Sequence, residues 1–227
     1  MQPADAYYDL LSTFSKSPCV EVGKVDRGVS EEMINLGVAY VGLSGEICVK
    51  SMVQLAMFAV KRGCDPRRVS TYLNWRDFEA FVADAFLESG YEVFRNVRFG
   101  RRRLEFDVLA ISTPSSLGIA VDCKHWSPRH ASGSKIKRVS LEHLEKLRGF
   151  LEWCGYELSN YPLLRSVRDF LGVVVTMGES VRGPLGGVVV VPIYYFGNFI
   201  ANLRYYVDTL GIATLRNPCY LRDPQID

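Results

Sequence analysis

The sequence lacks the features that mark membrane, secreted and zinc-binding proteins. No apolar run approaches the ~18 to 20 residues that a membrane helix needs, and the N-terminus lacks the basic and then apolar layout of a signal peptide. The six cysteines contain no C-x-x-C pair, and no His stands at zinc-finger spacing, which argues against a zinc or cluster site. We therefore expect a cytoplasmic protein with no membrane partner. The cysteines fit either buried thiols or disulfides.

The composition is that of a globular protein with one locally basic region. The chain has 227 residues, of which 48% are hydrophobic and 23% are charged, so it can build a sizeable core. Residues 91–150 carry twelve Lys or Arg against six Asp or Glu, whereas the rest of the chain carries fifteen against nineteen. Such a cluster indicates a polyanion partner, although a solvated basic face would have the same composition.

Residues 1–70 form the first of three predicted regions, a small α+β unit. The pattern predicts a helix over residues 4–15, strands over 20–25, 38–43 and 46–50, and an apolar helix over 52–60. Its role is not readable from the sequence. A winged-helix-like DNA-binding unit and a simple packing extension both fit.

Residues 71–215 form the second region, with an α/β pattern, and residues 216–227 form a C-terminal tail. A helix begins after Asn74, and its apolar side chains recur at helical spacing. The remaining elements are strands over 91–99, 104–111 and 117–124, a helix over 134–153, strands over 170–177 and 187–195, and a last helix capped by Asn198. The Val-rich late strands favour a sheet that is covered on both faces.

Three ionisable residues interrupt the apolar strands in the middle of this region. Strand side chains alternate between faces, so Asp122 and Lys124 project from one side of their strand. If the two strands are neighbours, Asp107 on the preceding strand converges with them at one end of the sheet. Glu79 flanks the apolar stripe of the first helix and leans toward the sheet. Buried charges are costly unless they are paired or bind a cation, so this pattern predicts a metal site.

Each of these residues also has an ordinary explanation when taken alone. A lone Asp at the end of a strand is usually a cap or an ion-pair partner, and a carboxylate beside a buried helix stripe often has the same role. The combination and order of all four residues favour the metal site.

The order of these elements and residues resembles the core of the PD-(D/E)xK nuclease superfamily. The closest resemblance is to Mrr-like restriction-endonuclease domains of archaeal type, and it is carried by Asn-Trp-Arg-Asp-Phe-Glu (74–79), Phe-Asp-Val-Leu-Ala (106–110) and Val-Asp-Cys-Lys-His-Trp (121–126). It implies a restriction-endonuclease-like αβββαββ core with a mixed central sheet flanked by helices. Phe106 replaces the Pro of the motif. The helix after the Lys strand offers Glu142 and His143 where many relatives have a Gln.

The resemblance also implies a role for each residue of the site. Asp107 and Asp122 would bind a divalent cation, with Glu79 and the Cys123 carbonyl as further oxygen ligands, and Lys124 would orient the attacking water. Hard oxygen ligands favour Mg²⁺ or Mn²⁺. The predicted phosphate contacts are a set of basic side chains near the site: Arg95, Arg98, Arg101, Arg102, Arg103, His125, Lys135, Lys137 and Arg138.

The predicted function is therefore a metal-dependent endonuclease that hydrolyses DNA through a one- or two-metal site. The same motif also serves Holliday-junction resolvases and other structure-specific nucleases. A catalytically inactive nucleic-acid-binding module and a scaffolding protein are further alternatives. Cutting both strands of a duplex would favour a homodimer.

Overall fold

The computed structural model describes residues 3–100, 104–126, 132–209 and 211–221. The chain divides into two compact units, Met1–Phe81 and Val82–Asp227. The division falls inside one helix, Trp75–Glu88. Each unit is described by itself below.

The first unit contains short capped helices. In chain order they are α1 (Pro3–Phe14), α2 (Arg27–Asn35), α3 (Met52–Lys61), α4 (Pro66–Ser70) and the start of α5 (Trp75–Glu88). Asp26, Ser51 and Asp65 each accept a backbone N–H of the first turn of α2, α3 and α4. Asn74 accepts the amide of Asp77, which confirms its predicted capping role.

The three strands of the first unit form a small antiparallel sheet. They are β1 (Cys19–Val20), β2 (Ala39–Val41) and β3 (Ile47–Val49), in the order β1-β3-β2. Cys19 lies opposite Cys48 and forms a disulfide with it. The strand predicted over residues 20–25 is too long, because Val22–Lys24 forms a 3₁₀ turn.

The second unit is built on a mixed sheet, which confirms the central mixed sheet predicted from the sequence. Its strands are β4 (Glu92–Phe99), β5 (Leu104–Ser112), β6 (Leu117–Lys124), β7 (Asp169–Thr176), β8 (Gly183–Leu185), β9 (Val188–Pro192) and β10 (Leu215–Arg216). The order is β4-β5-β6-β7-β9-β8, and β10 pairs with β7. The β6–β7 and β7–β9 pairs are parallel, and the other pairs are antiparallel.

Helices cover this sheet and bury its apolar residues. They are α6 (Gly133–Glu152), α7 (Cys154–Glu157), α8 (Ile193–Ala201) and α9 (Leu203–Asp208). Leu147 and Phe150 of α6 pack into one cluster with Phe106, Leu109 and Ala120 of the sheet. At about 25 cal/mol per Å² of buried apolar area, a large aromatic such as Phe150 contributes a few kcal/mol. This packing fixes α6 over the end of β5 and β6 that carries the acidic residues.

The sequence prediction was wrong at residues 187–198. The strand ends at Pro192, and α8 begins at Ile193, five residues before the predicted cap Asn198. Proline has no N–H for a sheet ladder, and its fixed φ suits the start of a helix. The buried residues Ile193, Phe196 and Ile200 follow a helical period, but they continue a Val run that is typical of strands.

The C-terminal segment is held against the second unit. The side-chain amide of Asn217 donates to the carbonyls of Leu164 and Val167, both at 2.7 Å. Cys219 forms a disulfide with Cys154. Cys64 and Cys123 are buried and belong to no disulfide. Among the described residues, no helix is long and apolar enough to cross a membrane.

Gly118 offers a test of the packing between β6 and β7. It lies opposite Phe170, and a Cβ at Gly118 would overlap the Phe170 ring. We expect Gly118→Ala to lower the free energy of unfolding by about 1 to 3 kcal/mol, because a fully packed core cannot absorb the methyl group. Denaturant titration measures the change. Gly155→Ala is the control, since a Cβ there meets nothing within 4 Å, and equal stability of the two variants would contradict the prediction.

Candidate active site

The register of β5 and β6 brings two acidic residues together. The pairing of the two strands runs from Ser112 with Leu117 to Val108 with Val121, and Asp107 and Asp122 follow directly after that last pair. The two carboxylates are close enough for the negative charge of Asp122 to raise the pKa of Asp107. The amide of Cys123 donates to Asp107 Oδ2 at 2.6 Å, which fixes one oxygen of that carboxylate.

Asp122 is a buried carboxylate between two ammonium groups. Only 2% of the residue is exposed. Lys124 Nζ lies 2.5 Å from Oδ2, and Lys146 Nζ lies 3.1 Å from Oδ1. Lys124 comes from the same strand, two residues along, whereas Lys146 comes from α6. The structure therefore brings Asp107, Asp122 and Lys124 together and adds a lysine that the sequence analysis left out of the site.

A signal for Lys146 was present in the sequence. His143 lies three residues before Lys146 and therefore on the same side of α6. The basic residues of α6 are spread around its circumference, so composition alone did not separate Lys146 from solvated neighbours such as Arg148. The position of Lys146 beside Asp122 becomes evident only when α6 is placed over β6.

The two carboxylates have opposite electrostatic environments. Burial, together with the nearby negative charge of Asp122, raises the pKa of Asp107 to about 6 against the opposing effects of the Cys123 hydrogen bond and the two lysines. Burial also acts to raise the pKa of Asp122, but Lys124, His143 and Lys146 outweigh it and hold that pKa below the usual value. Asp122 is thus the permanent anion of the site, and Asp107 is protonated more easily.

Lys124 and His143 complete the charged cluster. Burial acts to lower the pKa of Lys124, but Asp122 and Asp107 together raise it, so the ammonium stays charged. His143 is fully buried, and desolvation lowers its pKa. Its Nε2 lies 2.9 Å from the Ala120 carbonyl, which places the proton of the neutral ring on that nitrogen. A Cβ at Gly172 would meet Val188 at 2.7 Å, so a glycine there leaves room for the Val188 side chain, and His143 lies at ordinary contact distance.

Two further predicted ligands have known positions but no demonstrated role. Glu79 lies on α5, in the first unit, and only 8% of it is exposed. Its approach to the two aspartates stays a prediction. The backbone of Cys123 is fixed beside Asp107 through its amide, and the part of its carbonyl as a ligand also stays a prediction.

The predicted phosphate contacts occupy several environments. Arg95, Arg98, Lys137 and Arg138 are exposed, while His125 and Lys135 are half-buried. Arg98 pairs with Glu105 at 2.7 Å, and Arg138 lies 3.6 Å from Glu142. Lys135 Nζ lies 3.8 Å from the centre of the Trp126 ring. Arg101, Arg102 and Arg103 lie outside the described residues. Their contacts with nucleic acid stay a prediction.

The donor set fits a hard divalent cation. Asp107 and Asp122 supply carboxylate oxygens, the ligand type that Mg²⁺ and Mn²⁺ prefer. Asp122 Oδ2 is buried and has no hydrogen-bond donor in suitable geometry, although Lys124 is close to it. Two ammonium groups directed at one buried carboxylate show that the site attracts positive charge.

A scan against family models supports this interpretation. Residues 71–160 match the family model Mrr_cat, described as restriction endonuclease. This match confirms the predicted family resemblance for that segment, which includes Glu79, Asp107, Asp122 and Lys124. The family match supports a nuclease of restriction-endonuclease type.

Comparisons with whole proteins add little. No curated protein matches the chain. The crystal structure of protein VC1899 from Vibrio cholerae is similar at 14% sequence identity and a TM-score of 0.38. The match covers 89% of this chain and 50% of that one, so the chain spans half the length of that protein.

The raised pKa of Asp107 predicts a pH-dependent effect of Asp107→Asn. The stability that Asp107 contributes is present below about pH 3.8 and is lost as the pH rises through about 6. An Asn cannot ionise and can still accept the Cys123 amide. In EDTA, we therefore expect the free energy of unfolding of the variant to be higher than that of the native protein by roughly 2 to 3 kcal/mol at pH 8 and equal to it near pH 4. Denaturant titrations at both pH values measure this difference, and an equal gain at both would contradict it.

Proposed function

We propose that the chain, whose residues 71–160 match a restriction-endonuclease domain, is a divalent-cation-dependent endonuclease that hydrolyses DNA. The observation that carries the proposal is the convergence of Asp107, Asp122 and Lys124 at one end of β5 and β6. We assign α5, β4, β5, β6, α6, β7 and β9 to the αβββαββ core of that domain. This assignment is supported by the element order and by the mixed sheet.

The residues divide the chemical work according to their charge. Asp107 and Asp122 would hold the cation, Mg²⁺ or Mn²⁺, with Glu79 and the Cys123 carbonyl as further oxygen ligands. When bound, the cation supplies neutralisation of the scissile phosphate and a lower pKa for a coordinated water. Asp107 would give up its proton as the ligand set forms, since a carboxylate binds a cation only when it is ionised.

Lys124 would act on the attacking water and on the transition state. Its ammonium stays charged because of Asp122, so it cannot accept a proton near neutral pH. It can orient the water through a hydrogen bond and offset the negative charge that develops on the phosphate oxygens. An ammonium group held in place is useful here because its position is set before the reaction begins.

Two alternatives share parts of this site. A Holliday-junction resolvase would use the same residues on a branched substrate. A binding module without activity is disfavoured because a noncatalytic site has no need for two aspartates and two lysines around one buried position. We also propose a homodimer for cutting duplex DNA, which sedimentation at several protein concentrations would test.

The part of the first unit that precedes α5 does not carry the proposal. Glu31 and Glu32 of α2 pair with Arg27 and Arg62, so α2 has no basic excess. This charge pattern does not favour α2 as a helix that follows a phosphate backbone.

The decisive experiment combines substrate, cation and one lysine variant. The purified protein is incubated with plasmid, single-stranded and four-way-junction DNA in Mg²⁺, Mn²⁺ or EDTA. We expect cation-dependent cleavage, and Lys124→Ala should lower its rate by about 10² to 10³ through loss of transition-state stabilisation. The affinity of the variant for DNA should change by no more than the contribution of one phosphate contact.

The same preparation tests the contrary explanation for Lys124. If Lys124 only neutralises Asp122, its removal should destabilise the fold by roughly 3 to 5 kcal/mol, and cleavage should follow the folded fraction. Lys16→Ala, an exposed substitution in the first unit, is the control for general loss of positive charge. Absence of cleavage by the native protein on every substrate would overturn the proposed activity.

The α6 lysines predict the salt dependence of DNA binding. Lys135 and Lys137 lie in the first turns of α6, and Lys135 packs on Trp126 beside the site. Changing both to Gln should flatten the slope of log affinity against log salt by about two units, since each phosphate contact contributes roughly 0.9. Lys16→Gln with Lys50→Gln, two exposed residues of the first unit, is the matched control. An unchanged slope in the α6 variant would place the binding surface elsewhere.

A further inference from the structure

Both oxygens of the Asp122 carboxylate are contacted by ammonium groups. Lys124 reaches Oδ2 from the adjacent part of β6, and Lys146 reaches Oδ1 from α6 at 3.1 Å. A carboxylate that is 2% exposed cannot rely on water for compensation, so it needs cations close by. The two lysines provide the charge that a divalent cation would also provide.

Lys146 and a divalent cation on the same oxygen would repel each other. A cation bound to Oδ1 would lie at ~2.0 to 2.6 Å from that oxygen, where the ammonium of Lys146 now makes its contact. Two positive charges a few ångströms apart repel strongly in a partly buried site. Lys124 has a separate oxygen and a fixed strand position, so Lys146 is the group that must move.

The helix offers Lys146 a second partner. Its side chain is 30% exposed, so it has room to turn toward solvent. Glu142 lies four residues earlier on α6, the spacing at which Glu and Lys side chains pair. Glu142, Glu145 and Lys146 line one groove of about 850 Å³ along α6. Glu145 is already paired with Arg148 at 2.6 Å, whereas Arg138 lies 3.6 Å from Glu142. Glu142 is therefore the more available acceptor.

We propose that Lys146 is a displaceable counter-ion: it stabilises buried Asp122 without the divalent cation and moves to Glu142 when the cation binds. The inference rests on the proposed function, because it assigns Asp122 as a cation ligand. Lys146 is thus a positioning residue that lowers the affinity for the cation and protects the cation-free fold.

The first test is the affinity for Mn²⁺ at fixed pH, measured by calorimetry without DNA. Lys146→Met should bind Mn²⁺ at least about fivefold more tightly than the native protein, since no ammonium has to be displaced. Arg148→Met is the matched control, because Arg148 lies on the same helix and pairs only with exposed Glu145 among the described contacts. Its affinity should be unchanged. Equal affinities of Lys146→Met and native protein would overturn the proposal.

The melting temperature supplies a second readout. Lys146→Met should melt below the native protein in EDTA, and the gap should narrow in saturating Mn²⁺. An ion pair with a purely structural role would leave the same gap in both conditions, which would contradict the proposal.

A third measurement uses the native protein and does not depend on a variant that folds. Lysines are acetylated briefly with an amine-reactive reagent, and the modified sites are quantified by mass spectrometry. Lys146 should react faster in Mg²⁺ than in EDTA because it leaves Asp122, while exposed Lys137 should react equally in both. Equal labelling of Lys146 in Mg²⁺ and EDTA would rule out displacement.

The outcomes separate the two proposals. If neither the native protein nor Lys146→Met binds Mn²⁺, the proposed function fails and the inference fails with it. If the native protein binds Mn²⁺ and cleaves DNA but Lys146→Met binds no more tightly, only the inference fails. Binding by Lys146→Met together with weak binding by the native protein supports both.

Discussion

The second unit depends on the compensation of one buried negative charge. Asp122 lies in β6, whose residues before it are apolar, and its removal from water would be unfavourable without Lys124 and Lys146. The two lysines come from different elements, so the full compensation exists only when α6 is packed on the sheet.

The same charge distinguishes two carboxylates that are nearly equivalent in the sequence. Asp107 and Asp122 lie on neighbouring strands, yet both lysines pair with Asp122, and Asp107 is left with a raised pKa. One residue is a constant anion, and the other exchanges its proton near neutral pH. This asymmetry matters for the proposed cation site, because a divalent cation can use Asp107 as a ligand only after that carboxyl group has lost its proton.

The sequence predicted the parts of the site that lie within single strands. Period-two alternation placed Asp122 and Lys124 on one face, and Asp107 lies on the neighbouring strand, where it accepts the amide of Cys123. Lys146 could not be assigned in this way, because its role depends on where α6 crosses the sheet. The start of α8 at Ile193 was missed for a related reason: a Val run followed by Ile-Tyr-Tyr-Phe is compatible with strand or helix until Pro192 ends the strand.

The position of the C-terminal attachment on β7 has a mechanical consequence. β10, Asn217 and the Cys154–Cys219 disulfide hold the beginning of β7 and the segment before it, whereas Thr176 at its far end pairs with Lys124. At ~3.3 Å per residue, roughly 23 Å of strand separates the two ends. The covalent anchor thus resists fraying at the end of β7 opposite to the one that pairs with Lys124.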